Sequence, residues 1–299
     1  MAAPASCKLC KLSSGRVFLA TAAVHYASAV VSDRGRKRAS NEDAFGLSAE
    51  HGVYLVCDGM GGAAAGEVAS SLAVEEVLRQ LSRRAKPEAA SLENAIEEAV
   101  AAANQAIYSC ALSNPRLRGM GTTLVGLVAE ARRVLVFNVG DSRCYRLRSL
   151  QPDPSNSGPS SPEQNRPEPI LSQNLPEPAR PVQSRLEQIS LDHSLVAEQV
   201  RMGRMTQAEA RNSPLHNVIT RALGTESTVE PDLFELEAAP GDLFLLCSDG
   251  LTIELADSLI ASILAADLPL EELCALLVGA ANQAGGRDNI TCLLVRAEG

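Results

Sequence analysis

Val53-Tyr-Leu-Val-Cys-Asp58-Gly59-Met60-Gly61-Gly62 is an apolar run that closes on a carboxylate and three glycines. A short apolar run bounded by turn residues reads as a buried strand. Such a strand carries Asp58 to a sheet edge, where glycines let the backbone turn tightly and approach a bound group closely. Val68, Leu72, Val77, Leu78 and Leu81 then recur at roughly helical spacing, which predicts a helix over 63–85. The order strand, Asp, Gly, helix returns in Asp242-Leu-Phe-Leu-Leu-Cys-Ser248-Asp249-Gly250-Leu251. A strand-end carboxylate beside glycine, met twice, points to a bound metal ion or a nucleotide phosphate.

Around these two stretches the chain divides readily. Strands are expected at 22–32, 43–48, 121–130, 133–139, 143–148, 186–191, 229–236 and 290–296. Helices are expected at 63–85 and 91–113, and again at 251–264 and 269–284. Short helices at 196–202 and 206–212 read as a flap over 193–224. Residues 151–184 hold nine of the sixteen prolines and no aromatic residue, the composition of a disordered insertion. Strands outnumber helices, and the helices come in pairs between groups of strands. That order fits an α+β fold, a four-layer α-β-β-α sandwich of two antiparallel sheets flanked by helix pairs. Residues 22–299 form one domain on this reading, behind a poorly ordered extension at 1–21.

Composition narrows the function. The chain has 299 residues, 45% of them hydrophobic, enough for one large core. A net charge of −9 argues against a general nucleic-acid binder. No run of about 20 apolar residues is present, so no membrane span is expected. Eight cysteines in a chain this long do not read as a disulfide framework. Cys57, Cys247 and Cys292 lie in apolar runs and read as small buried hydrophobes; Cys7 and Cys10 form one C-x-x-C without a second pair. Residues 1–32 lack acids, and Ala27-Ser28-Ala29 resembles a cleavage site. Cleavage there would remove the first strand, so a cytoplasmic location is expected.

Glu42, Asp43, Asp58, Asp141, Asp249 and Asp288 all sit at strand ends or in turns, beside Gly, Asn or another acid. Gathered together, such carboxylates must take up protons or bind cations. All-oxygen ligands favour Mg²⁺ or Mn²⁺ over zinc. Two such ions about 3.5–4 Å apart activate a water for in-line attack on phosphorus. Arg38 stands where a bidentate grip on phosphoryl oxygens is needed. Each residue alone also has an ordinary reading as a turn or a solvated side chain; their joint occurrence carries the weight. The rival is a dinucleotide fold, because Gly59-Met-Gly61-Gly-Ala-Ala64 fits G-x-G-x-x-[GA]. Against it, Asp58 would repel a pyrophosphate, and the helix leads to another helix instead of a parallel strand.

Six motifs in order extend the argument: Arg38-x-x-Asn41-Glu42-Asp43, Asp58-Gly59-Met60-Gly61-Gly62, Gly121-Thr122-Thr123, Asn138-Val-Gly140-Asp141-Ser-Arg143, Ser248-Asp249-Gly250-Leu251 and Gly286-Arg287-Asp288-Asn289. Together they resemble the metal-dependent serine/threonine protein phosphatases of the 2C type, in their bacterial form, from about residue 24 to 296. The resemblance implies that Asp58 bridges two Mn²⁺ or Mg²⁺ ions. Asp249 and Asp288 would complete one site and the Gly59 carbonyl the other, with Glu42 and Asp43 acting partly through water. Asp141 with Asp249 would bind a third, weaker ion. Arg38 would hold the substrate phosphate, and Asn289 would support the phosphate or the metal water. The implied partners are phosphorylated proteins and a cognate Ser/Thr kinase, for an enzyme acting as a monomer. One departure stands out: the family usually has His after Gly-Met-Gly-Gly, and here the position is Ala63. Without that acid the chain is expected to favour good leaving groups; the alternative is a pseudophosphatase that binds phosphoproteins without turnover.

Overall fold

The computed structural model describes residues 24–83, 91–150, 183–211, 213–215 and 217–299. Strands β1 (His25–Asp33), β2 (Asp43–Ser48) and β3 (Val53–Met60) lead into helices α1 (Ala63–Ser82) and α2 (Leu92–Ser113). Then come β4 (Gly121–Thr122), β5 (Leu124–Glu130), β6 (Arg133–Val139), β7 (Arg143–Leu150) and β8 (Gln183–Gln188). Two short helices, α3 (Leu195–Arg201) and α4 (Gln207–Arg211), precede β9 (Asp232–Glu237) and β10 (Leu243–Cys247). Helices α5 (Asp249–Thr252), α6 (Asp257–Leu264) and α7 (Leu270–Ala284) and strand β11 (Ile290–Glu298) follow.

The strands form two sheets in which every named pairing is antiparallel. One has the order β1-β11-β10-β7-β8; the other has β2-β3-β5-β6-β9, with β4 paired to β3. Period-two alternation sorts each inner strand between two cores. On β3, Val53, Leu55 and Cys57 face α1 and α2, while Tyr54 and Val56 face the opposite sheet. On β10, Leu243, Leu245 and Cys247 face α5–α7, while Phe244 and Leu246 meet the first sheet's partner across the middle. Three apolar layers therefore separate four structural ones, as expected of an α-β-β-α sandwich. Full burial of each such Leu, Val or Phe contributes about 1.5–3 kcal/mol before entropic costs, so the middle layer binds the sheets firmly.

Local chemistry sets the boundaries. Ser91 caps α2, its hydroxyl accepting from the Asn94 N–H at 3.2 Å. Ala65, Ala69 and Ala73 line the buried face of α1. Small side chains there bring the helix close to β3: a Cβ on Gly59 would fall 2.1 Å from the Gly66 carbonyl oxygen.

Several boundaries differ from expectation. The first strand begins at His25, and Ala22 lies outside the described residues. The 121–130 segment is two strands, because Thr123 leaves the ladder between β4 and β5. Strand β8 covers 183–188, earlier than the expected 186–191, because Gln183 and Ser184 pair with Leu150 and Ser149 of β7. The expected insertion thus gives up its last two residues to the sheet; residues 151–182 lie outside the described residues, as do the 1–21 extension, Cys7 and Cys10. The expected helix 251–264 is split into α5 and α6, and the strand expected at 229–236 starts at Asp232, after Pro231.

Candidate metal and phosphate site

Both strands of the opening motif end at one place. Asp58 continues the Tyr54–Val56 parity of β3, and the ladder sets it directly opposite Asp43, the first residue of β2. Asp43 in turn reaches the other sheet. Its Oδ2 accepts from Ser248 Oγ at 2.8 Å and Thr291 Oγ1 at 2.7 Å, from the end of β10 and from β11. Asp249 opens α5 directly after Ser248. Asp141 sits in the turn between β6 and β7, and Asp288 in the loop before β11.

The electrostatics show that these groups feel one another. Burial, then the Asp43, Asp249, Asp141 and Asp288 charges, push the Asp58 carboxyl well above the usual range. Burial raises Asp43 too, offset in part by the Thr291 and Ser248 hydroxyls. Asp249 is raised by burial and then by Asp288, and Asp141 by burial and then by Asp249. Glu42 is raised by burial while Arg38 opposes the shift. Two carboxylate oxygens, Asp43 Oδ1 and Asp249 Oδ1, are buried with no hydrogen-bond partner. Crowded, buried and partly unsatisfied oxygen donors are what a hard divalent cation would satisfy. The residues fit Mn²⁺ or Mg²⁺ in chemistry, although no trio of His, Cys, Asp or Glu among the described residues is already drawn together at coordinating distance.

The arginine side of the site is built by Asn289. Its Oδ1 accepts from the Glu42 N–H at 2.8 Å, and its Nδ2 donates to the Arg34 and Ser40 carbonyls at 2.9 Å each. Asn289 is buried and its amide is spent on these bonds. These three bonds tie Asn289 to the 34–42 loop. Arg38, in the middle of that loop, is half-exposed and donates to Asp288 Oδ2 at 2.6 Å. The pair leaves most of the guanidinium's five donors facing outward. The Gly59 N–H donates to the Glu42 carbonyl at 3.2 Å, so the glycine backbone lies against the acidic loop.

Further residues brace the site. The Asp58 N–H donates to Thr123 Oγ1, and its carbonyl accepts from Thr122 Oγ1 and the Thr123 N–H, all at 2.9 Å. Thr123 Oγ1 is 2.7 Å from Ser142 Oγ, next to Asp141. The 193–224 segment is tied to the same turn: the Gly140 N–H donates to His193 Nδ1, and the His193 N–H to the Gly140 carbonyl. Arg143 holds Asp192, just before that segment, with Nε and Nη2. Thr291 escaped the sequence reading, and Ser248 entered it only within a motif and without a role, although a hydroxyl inside an apolar strand, as at Thr291, was a usable signal. Ala63, the departure from the family pattern, is the first residue of α1. The dinucleotide rival fails on topology, since α1 is followed by α2 and the sheets are antiparallel.

Comparison with known proteins bears on the family and the fold. Residues 33–156 match the family model described as protein phosphatase 2C. The serine/threonine phosphatase Stp of Listeria innocua is 35% identical over 271 residues, spanning 88% of this chain and 92% of that one. The crystal structure of the serine/threonine phosphatase PstP/Ppp of Mycobacterium tuberculosis superposes with a TM-score of 0.73 at 34% identity, covering 92% of this chain and all of that one. A structure of the PstP catalytic domain in complex with two manganese ions gives a TM-score of 0.72 at 32% identity, over 92% of this chain and 100% of that chain. With the carboxylates at the sandwich edge, the six ordered motifs and these relatives in agreement, the chain belongs to the protein phosphatase 2C family of metal-dependent serine/threonine phosphatases.

Proposed function

We propose that the chain removes phosphate from phosphoserine and phosphothreonine in proteins, with Asp58, Asp249, Asp288 and the Gly59 carbonyl holding two Mn²⁺ or Mg²⁺ ions. Glu42 and Asp43 support them, and Asp141 with Asp249 holds a third, weaker one. When bound, such ions supply Lewis acidity and lower the pKa of an attacking water. Arg38 binds and orients the phosphoryl oxygens. Ser248 and Thr291 hold the Asp43 carboxylate in place, and Thr122 and Thr123 fix the Asp58 backbone. The observation that carries this reading is the set of mutually repelling acids from both sheets, with buried oxygens left unbonded.

All these residues come from one chain, which supports action as a monomer. A cognate Ser/Thr kinase is the partner expected for this substrate class, and a cytoplasmic setting is part of the same reading. No helix of the described residues is long and apolar enough to cross a membrane, and the net charge of −9 speaks against nucleic acid as a partner. No observation favours the pseudophosphatase reading. The test is hydrolysis of a phosphothreonine peptide with Mn²⁺, with EDTA, and by Asp249→Ala. Turnover with Mn²⁺ alone is expected; turnover that survives chelation overturns the assignment.

A further inference from the structure

The loop that ends in Arg38 carries more positive charge than a phosphate grip needs. Residues 33–38 read Asp-Arg-Gly-Arg-Lys-Arg, and Arg34, Arg36, Lys37 and Arg38 are all exposed in a chain of net charge −9. The backbone of this loop is fixed. Gly35 has φ +78°, and a Cβ there would fall 2.1 Å from the Asp288 carbonyl oxygen. The Arg36 N–H donates to the Gly286 carbonyl at 2.7 Å, and the Arg34 carbonyl accepts from Asn289 at 2.9 Å. Asp33 Oδ1 accepts from the Gly35 N–H at 2.8 Å and from Asn282 Nδ2 at 3.0 Å. The loop is thus bolted to the segment that carries Asp288. Two of its cations have other work: Arg38 pairs with Asp288, and Arg34 donates to the Ala39 carbonyl. Among the described residues, the Arg36 guanidinium and the Lys37 ammonium make no hydrogen bond or ion pair.

We propose that Arg36 and Lys37 form a docking rim that selects phosphoprotein segments with acidic residues beside the phosphorylated one. The proposal rests on the phosphatase reading and names the substrate class within it. Its basis is charge complementarity at a fixed place. Neighbouring Cα atoms are about 3.8 Å apart, and an extended substrate advances about 3.3 Å per residue. Cations one and two positions from Arg38 therefore meet substrate side chains roughly one to three residues from the phosphate. The contact is exposed, so it acts through encounter and modest affinity, and salt screens it.

The experiment compares kcat/KM of the full chain with Mn²⁺ on two peptides sharing one phosphothreonine, flanked by Glu in one and Gln in the other. An aryl phosphate serves as the small substrate. The acidic peptide is expected to win by about fivefold to tenfold at low salt, at about two- to fivefold per exposed cation. The preference should shrink by 0.5 M salt, and Arg36→Gln/Lys37→Gln should abolish it while aryl phosphate turnover is kept. Gln retains the Cγ that packs beside Gly286. Equal rates on both peptides, or a preference that persists at high salt or in the double variant, overturn the proposal and leave the phosphatase reading standing. If the variant also loses aryl phosphate turnover, the salt series on the native chain decides. Hydrolysis of neither peptide by the native chain overturns the phosphatase reading, and this one with it.

Discussion

At the scale of single residues, function and stability pull apart at Asp58. Its neutral form is favoured by burial and by neighbouring acids, so its charge destabilises the metal-free fold. Asp58→Asn is expected to raise Tm in EDTA by a few degrees, about 1 kcal/mol or more. The same change should cut kcat by ~10³-fold, the loss of several kcal/mol of metal-assisted stabilisation. Thermal melts in EDTA and steady-state kinetics with Mn²⁺ check the two halves, and a lower Tm in EDTA would contradict the electrostatic account. Ala63 makes a second case. A general acid contributes roughly 10²–10⁴-fold, so Ala63→His should speed alkyl phosphothreonine hydrolysis most. An equal gain on aryl phosphate, whose leaving group needs no proton, would count against that reading.

At the scale of elements, the 34–42 loop and the start of the 193–224 segment each depend on one buried polar side chain. Asn289→Ala leaves the Glu42 N–H and two carbonyls to find new partners. An unpaired buried group costs about 1–3 kcal/mol, so the variant should melt lower. It should also show a raised KM for phosphopeptide as Arg38 loses its support. An unchanged KM would mean the loop is held by its other bonds. His193 gives a pH test. Burial lowers its pKa, outweighing the nearby Asp232 carboxylate. The unfolded chain takes up this proton near pH ~6.5, while the folded chain resists. Stability is therefore complete above pH ~6.5 and falls as pH drops toward the folded value. His193→Gln should show a shallower fall in Tm between about pH 6.5 and 5 than the native chain. Much at this scale was legible in advance: Val53–Cys57 and Leu243–Cys247 announced their strands, and Asp58 and Asp249 their ends. The cross-links were not legible, because Thr291 meets Asp43 only through tertiary structure. Strand β8 was misplaced because Gln183 and Ser184 carry no apolar signal and pair only because β7 lies beside them.

At the scale of the whole molecule, the acids of the site lie on a seam. Asp43 belongs to one sheet, while its hydroxyl donors are Thr291 in β11 of the other and Ser248 directly after β10. Binding a cation there should steady the whole sandwich. A ligand at 100 times its Kd adds about 2.7 kcal/mol, so Mn²⁺ should raise Tm by several degrees and EDTA should return it. Absence of any shift, with turnover present, would mean the ions bind folded and unfolded chains alike. The layered architecture was readable from the grouping of strands and helices. The division of each strand between two cores was readable only as alternation, since Leu and Val serve both faces equally well.

The same seam sets a schedule for synthesis. Strand β11 lies inside its sheet, between β1 and β10, and supplies Thr291 to an acid 248 residues earlier. A ribosome adding about 5–20 residues per second takes roughly 15–60 s over a chain of this length. For nearly all of that time the earlier carboxylates wait without their partner strand. A fragment lacking β11 would lack both the strand that joins β1 to β10 and the Thr291 hydroxyl that holds Asp43, so it is expected not to assemble the acid cluster. The acid cluster is expected to close only when β11 pairs between β1 and β10.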